Sequence, residues 1–96
     1  MTELLQIVPT TQFKKDLKKV TKQGKERLLI NSVIETLRRK EPLPLKNKDH
    51  ALIGNYKGYR ECHITADWLL IYRFSSNNSL ELLELSRTGS HSELFK

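Results

Sequence analysis

The 96-residue sequence predicts an α+β fold, with two N-terminal helices forming a hairpin that packs on a twisted, mainly antiparallel sheet of four to five strands. Three observations predict it. Apolar residues recur at helical spacing twice between residues 13 and 37. Apolar runs bounded by turn residues fill residues 58–86. The order is strand, two helices, then a meander of strands, which suits an antiparallel sheet covered on one side by helices.

Each element has a local cause. Leu4-Leu5-Gln6-Ile7-Val8 reads as a short strand rich in branched apolar residues. Pro9-Thr10-Thr11 breaks it and offers a helix N-cap. Phe13, Leu17 and Val20 then recur at helical spacing with lysines between them, and residues 21–24 form a turn. Ile30, Val33, Ile34 and Leu37 make the apolar face of a second helix. Arg38-Arg39-Lys40 closes it, where positive charge suits the C-terminal dipole, and Pro42 and Pro44 end it. Residues 49–54 form a short strand. Residues 58–65 and 68–74 form two more around a tight turn at Ala66-Asp67. Ser75-Ser76-Asn77-Asn78-Ser79 is a second turn, residues 80–86 are the last strand, and residues 87–96 are a polar tail. The run Trp68-Leu69-Leu70-Ile71-Tyr72 is apolar on both faces, as a central strand requires.

Length and composition bound the function. One domain, residues 1–96, accounts for the chain. Leu, Ile, Val and Phe supply 28 of the 96 residues, above the roughly 20% below which charged chains stay unfolded. No apolar run approaches the ~20 residues that span a bilayer, which excludes an integral membrane protein. MTELLQIVPT lacks a secretory pattern, and the lone Cys62 excludes a disulfide framework or a multi-cysteine zinc site, so a cytoplasmic protein without cofactor is expected. The net charge of +6 is uneven. Residues 1–40 hold ten Lys and Arg against four acids, whereas residues 41–96 hold seven of each. Lys14, Lys15, Lys18, Lys19, Lys22, Lys25 and Arg27 form a stripe relieved only by Asp16 and Glu26. Such a stripe attracts polyanions, or simply solvates a helix face.

With a two-residue loop at Ala66-Asp67, Thr65 pairs with Trp68 and His63 with Leu70. Tyr59, Glu61, His63 and Thr65 then share one face and line a groove, while Cys62 and Ile64 point into the helix-covered core. All three histidines, His50, His63 and His91, lie in the second half. His63 shares a face with Glu61 and lies near Asp67, so acid and imidazole can couple. His91 follows Arg87 by four and precedes Phe95 by four. Imidazole, carboxylate and guanidinium together suit metal-free phosphodiester cleavage. The ribose 2′-OH must lose a proton, the phosphorane needs positive charge, and the leaving 5′ oxygen needs a proton. A metal site is disfavoured, because no two histidines stand at i, i+4 and no carboxylate cluster accompanies them. Cys62 alternates away from His63 and reads as a small apolar residue rather than a nucleophile.

These pieces run in one order: Pro42-Leu43-Pro44-Leu45, Lys48-Asp49-His50-Ala51-Leu52, Tyr56-Lys57-Gly58-Tyr59-Arg60-Glu61-Cys62-His63, Asp67-Trp68-Leu69-Leu70-Ile71-Tyr72, and Arg87-Thr88-Gly89-Ser90-His91-Ser92-Glu93-Leu94-Phe95. In that combination the chain resembles the YafQ branch of the RelE superfamily of toxins from bacterial type II toxin–antitoxin modules. The resemblance spans nearly the whole sequence and is strongest from Pro42 onward. It implies the RelE-like microbial ribonuclease fold. It also implies a ribosome-dependent endoribonuclease, an mRNA interferase that cuts mRNA in the ribosomal A site and stops translation. Its expected partners are the ribosome with its 16S rRNA, mRNA and a cognate antitoxin, with operator DNA bound only through the antitoxin complex and no membrane.

Carried over by position, the resemblance makes His91 the general acid for the 5′ oxygen. It places His50, His63 and Asp67 in the catalytic set and Arg87 on the phosphate charge. Phe95 falls on a terminal aromatic that holds a base. Glu61 stands where some relatives carry an acid, and the general base stays open among Asp67, His63 and Glu61. The helix lysines Lys14, Lys15, Lys18, Lys19 and Lys22 fit ribosomal RNA docking, or equally an acidic antitoxin. Each residue also has a plainer reading: Asp67 as a turn residue, Arg87 as a salt-bridge partner, Phe95 as a core anchor and Trp68 as packing. From the lysine stripe alone, a non-catalytic nucleic-acid-binding or co-repressor module is the alternative.

Overall fold

The computed structural model describes residues 4–95. Strand β1 (Gln6–Pro9) leads into helices α1 (Thr11–Lys22) and α2 (Arg27–Arg38). Two single 3-10 turns (Leu45–Asn47 and Gly54–Tyr56) flank the two-residue strand β2 (His50–Ala51). Strands β3 (Arg60–Thr65), β4 (Trp68–Asn77) and β5 (Leu80–Gly89) follow, then the one-turn helix α3 (His91–Leu94). The sheet runs β1-β5-β4-β3-β2, parallel between β1 and β5 and antiparallel elsewhere. This is the expected α+β architecture with five strands.

Thr10 caps α1, its hydroxyl accepting the Phe13 N–H at 3.0 Å, as the sequence indicated. Phe13 and Val20 of α1 and Ile30, Val33, Ile34 and Leu37 of α2 bury their apolar stripes on Cys62, Trp68, Leu70, Tyr72, Leu83 and Leu85. The Trp68 indole donates to Thr88 Oγ1 at 2.8 Å, and that hydroxyl donates to the Leu69 carbonyl at 2.7 Å. No buried donor is left idle there.

Four expectations are corrected. Residues 49–54 hold only a two-residue strand between 3-10 turns, because left-handed Lys48 (φ 46°) and Gly54 (φ 67°) interrupt extension. The turn at residues 75–79 shrinks to Asn78-Ser79, both at positive φ, the pair that a two-residue hairpin of primed type demands. The register after Ala66-Asp67 slips: Thr65 does pair with Trp68, but His63 faces Leu69 rather than Leu70, because Ile64 bulges. Arg87, Thr88 and Gly89 are not tail but the end of β5, and residues 91–94 are helical. The helix signal was present in the sequence. Ser90-His91-Ser92-Glu93 is a capping box, with the Ser90 N–H donating to Glu93 Oε1 at 2.9 Å and the Glu93 N–H donating to Ser90 Oγ at 3.2 Å. Lys96 lies outside the described residues.

Candidate active site

The face of the sheet away from α1 and α2 carries a second, smaller apolar cluster. Leu69, Ile71 and Leu94 form it, with Leu52, Tyr56, Tyr59 and Phe95 packed against them. Around this cluster the register draws one line across four strands. His50 pairs with Glu61, Glu61 with Ile71, and Ile71 with Arg87. Strands lie about 4.8 Å apart, so His50 and Arg87 are roughly 14 Å apart at the backbone. His63, Leu69 and Gly89 form the next line, and Gly89 leads directly into α3. A Cβ at Gly89 would sit 3.2 Å from Glu93 Oε1 and 3.4 Å from Leu94 Cδ2, so a side chain there would require the Glu93 carboxylate to shift by a few tenths of an ångström.

Glu61 is the hinge of the set. Its side chain is only 6% exposed, and its Oε1 lies 3.7 Å from His50 Nε2 and 3.6 Å from His63 Nε2. Acid and imidazoles therefore lie within ion-pair reach of one another, with Glu61 nearly buried between them. His50 Nδ1 lies 2.7 Å from the Lys48 carbonyl, which only accepts, so Nδ1 carries a proton and Nε2 faces Glu61. The loop bearing His50 is pinned twice. Asn47, buried, donates to the His63 carbonyl at 2.7 Å, and Asp49 accepts from the Tyr72 hydroxyl at 2.5 Å and from Arg60 Nε at 3.3 Å. Burial first, and Asp49 second, push the Tyr72 phenol above its ordinary value, so it stays a donor.

His91 opens α3 and Phe95 caps its C-terminal end, with ring centroids 4.9 Å apart. Phe95 meets Tyr56 edge-on at 5.5 Å, which ties His91 to the same sheet face as Ile71. His91 itself is exposed. Phe95 is half-buried and packs on the smaller cluster, in keeping with its plainer reading as an anchor. Arg87 donates through Nε to Asp16 Oδ2 at 2.7 Å and through Nη2 to Asp16 Oδ1 at 3.2 Å, the salt bridge of its plainer reading. Asp16 first, with Tyr56 a smaller contributor, raises the guanidinium further above its ordinary value. Asp67 is exposed on its turn, with no side-chain partner among the described residues. Trp68 is core, 1% exposed. Cys62 is fully buried, and burial pushes its thiol up to about 12, so it is inert as a nucleophile.

The lysine stripe splits in two. Lys14, Lys18 and Lys22 border a shallow depression with Leu17, whereas Lys15 and Lys19 turn toward a cleft holding Arg87 and Glu93. Lys19 pairs with Glu93 at 2.8 Å. Asp16 is the residue sequence reasoning passed over. Its signal was position, because it falls on the buried Phe13–Val20 stripe where an apolar residue belongs.

A short α+β domain thus gathers a nearly buried carboxylate between two imidazoles, a guanidinium fixed by a salt bridge and an exposed histidine around one small apolar cluster. Residues 5–96 match the family described as "Bacterial toxin of type II toxin-antitoxin system, YafQ". The mRNA interferase toxin YafQ of Escherichia coli K12 is 39% identical over 92 residues, covering 88% of each chain. A metal-bound toxin from Helicobacter pylori superposes with a TM-score of 0.87 at 42% identity, covering 96% of this chain and 100% of that one. YafQ in the E. coli DinJ–YafQ toxin–antitoxin complex superposes at 0.84 with 36% identity, covering 97% and 99%. The chain belongs to the YafQ family of bacterial type II toxins. Among the described residues no group of three His, Cys, Asp or Glu is arranged to hold a metal ion.

Proposed function

We propose that this protein is the toxin of a type II toxin–antitoxin pair and an mRNA interferase, a ribosome-dependent endoribonuclease that arrests translation in the cytoplasm. The observation that carries it is the line His50–Glu61–Ile71–Arg87, with His63 beside it and His91 held against Phe95, which packs on the same face. The 2′ oxygen of a ribose attacks the adjacent phosphorus and its proton passes to the His63–Glu61 pair, with Asp67 the remaining candidate base. Arg87 meets the phosphorane charge. His91 protonates the departing 5′ oxygen, leaving a 2′,3′-cyclic phosphate. His50 holds Glu61 from the other side, and Phe95 backs His91 and offers an aromatic edge to a base. None of these steps calls for a metal. Lys14, Lys15, Lys18, Lys19 and Lys22 serve ribosomal RNA. Neutralisation falls to a cognate antitoxin in the role that DinJ has beside E. coli YafQ, and operator DNA is reached only through that complex.

The test is mRNA cleavage by purified protein with and without ribosomes, beside His91→Ala. Ribosome-dependent cutting that the substitution abolishes, in a protein that still folds, is the expected result. Full cutting by His91→Ala refutes its role. No cutting by the native protein, with salt-dependent RNA binding indifferent to His50, His63 and His91, would leave a binding module instead.

A further inference from the structure

α1 turns one charge inward. Asp16, three residues after Phe13, is 7% exposed, and four donors converge on its carboxylate. These are Gln12 Nε2 at 3.0 Å, Arg87 Nε at 2.7 Å, Arg87 Nη2 at 3.2 Å and the Thr88 N–H at 3.2 Å. The carboxylate thus grips the side chain of one β5 residue and the backbone of the next. The Arg87 contact is a two-pronged fork, which fixes the guanidinium plane as well as its charge. Nε and one Nη2 hydrogen are consumed, and the N–H groups that remain have the Tyr56 side chain as a neighbour. The pair borders a cleft of about 270 Å³ between α1 and α3, so the remaining edge is not sealed off.

We propose that Asp16 is a positioning residue for Arg87: it sets the direction from which the guanidinium meets the RNA phosphate, without touching the RNA. The inference rests on the role given to Arg87 above. An arginine free on a strand loses rotamer freedom when it grips a phosphate. One already clamped by a buried carboxylate loses little at that moment, and its charge stands in place before the transition state forms. Arg87, like any guanidinium, is cationic at any working pH, so the fork governs its direction rather than its charge.

The test is a double-mutant cycle on ribosome-dependent cleavage. Asp16→Asn preserves shape and can still accept the Thr88 N–H, but loses the charge and the fork. It should lower kcat about 10- to 100-fold with KM little changed, as misplacement of a reacting partner does. In an Arg87→Ala background the same substitution should have no further effect, because nothing is left to position. Losses that multiply, or an Asp16→Asn protein that cuts like the native one, overturn the inference. If Asp16→Asn does not fold, Asp16→Glu is measured: it keeps the charge and lengthens the arm by one methylene, and it should lose kcat at a native melting temperature. Native kcat there also overturns it. Absence of cutting by the native protein instead fells the ribonuclease reading itself, and this inference with it.

Discussion

Substituting Glu93 by Ala should loosen α3 without unfolding the sheet. Glu93 does three jobs: it accepts the Ser90 N–H at 2.9 Å, pairs with Lys19 at 2.8 Å and accepts from Gln23 at 3.4 Å. A capping interaction is worth about 0.5–2 kcal/mol. An exposed ion pair such as this, with Lys19 62% exposed, adds about 0.2–1 kcal/mol. A one-turn helix has almost no stability of its own. Losing about 1–2 kcal/mol of docking shifts the bound-to-loose ratio of α3 roughly 5- to 30-fold. Amide exchange reads this directly. The Leu94 and Phe95 N–H groups, bonded to Ser90 and His91 carbonyls at 3.1 and 2.9 Å, should exchange faster by that factor while β3–β5 amides do not change. Cleavage should fall by no more than the same factor. The effect has a pH signature. The Lys19 ammonium and the Ser90 contacts hold the Glu93 carboxyl down at about 2, against an ordinary 4.5. A depressed carboxyl stabilises above its ordinary value and ceases to as pH falls through its depressed one. Native α3 should therefore loosen between pH 4.5 and about 2, after correction for intrinsic exchange, and Glu93→Ala should show no such step. Unchanged Leu94 and Phe95 exchange in the variant would sink this account of how α3 is held.

Other outcomes follow from the same geometry. Thr88→Val strands the Trp68 indole N–H in the core and should cost about 1–3 kcal/mol in urea unfolding; native stability would show that the indole finds another acceptor. Cys62, buried with its thiol pushed up to about 12, should resist alkylation at pH 8 and react only in denaturant, as mass spectrometry will record. Ribosome-dependent cleavage should survive a chelator selective for transition metals that leaves ribosomal Mg²⁺ in place, since the proton transfers proposed use side chains alone; cutting lost under that treatment would contradict that chemistry.

The sequence disclosed whatever a short window controls. The stripes Phe13–Val20 and Ile30–Leu37, the Thr10 cap and the two-faced apolar run at Trp68 all appear in the structure where periodicity put them. The placement of Glu61 beside His63 followed from alternation within one strand. What stayed hidden depends on partners far along the chain. The bulge at Ile64 arises from pairing, not from its own residues, and it moved His63 opposite Leu69. Asp16 lies 71 residues from Arg87, so its role shows only once α1 lies beside β5. The α3 helix was missed differently: its capping box was legible, but so short a helix forms only because Leu94 and Phe95 have an apolar bed to lie on.

The parallel pairing of β1 with β5 sets the order in which this molecule can be finished. Gln6 lies against Leu82, so the first strand made finds its place only when the last has been made. At synthesis rates of about 5–20 residues per second, β1 and the two helices spend seconds without the edge they will cover. Such long-range closure is slow, and an unpaired strand edge is an invitation to other chains. The groups proposed for chemistry are laid down later still: Arg87 is on β5 itself, and His91 comes after it. The edge that β1 must find and the groups proposed for chemistry are thus completed together, at the end of the described chain.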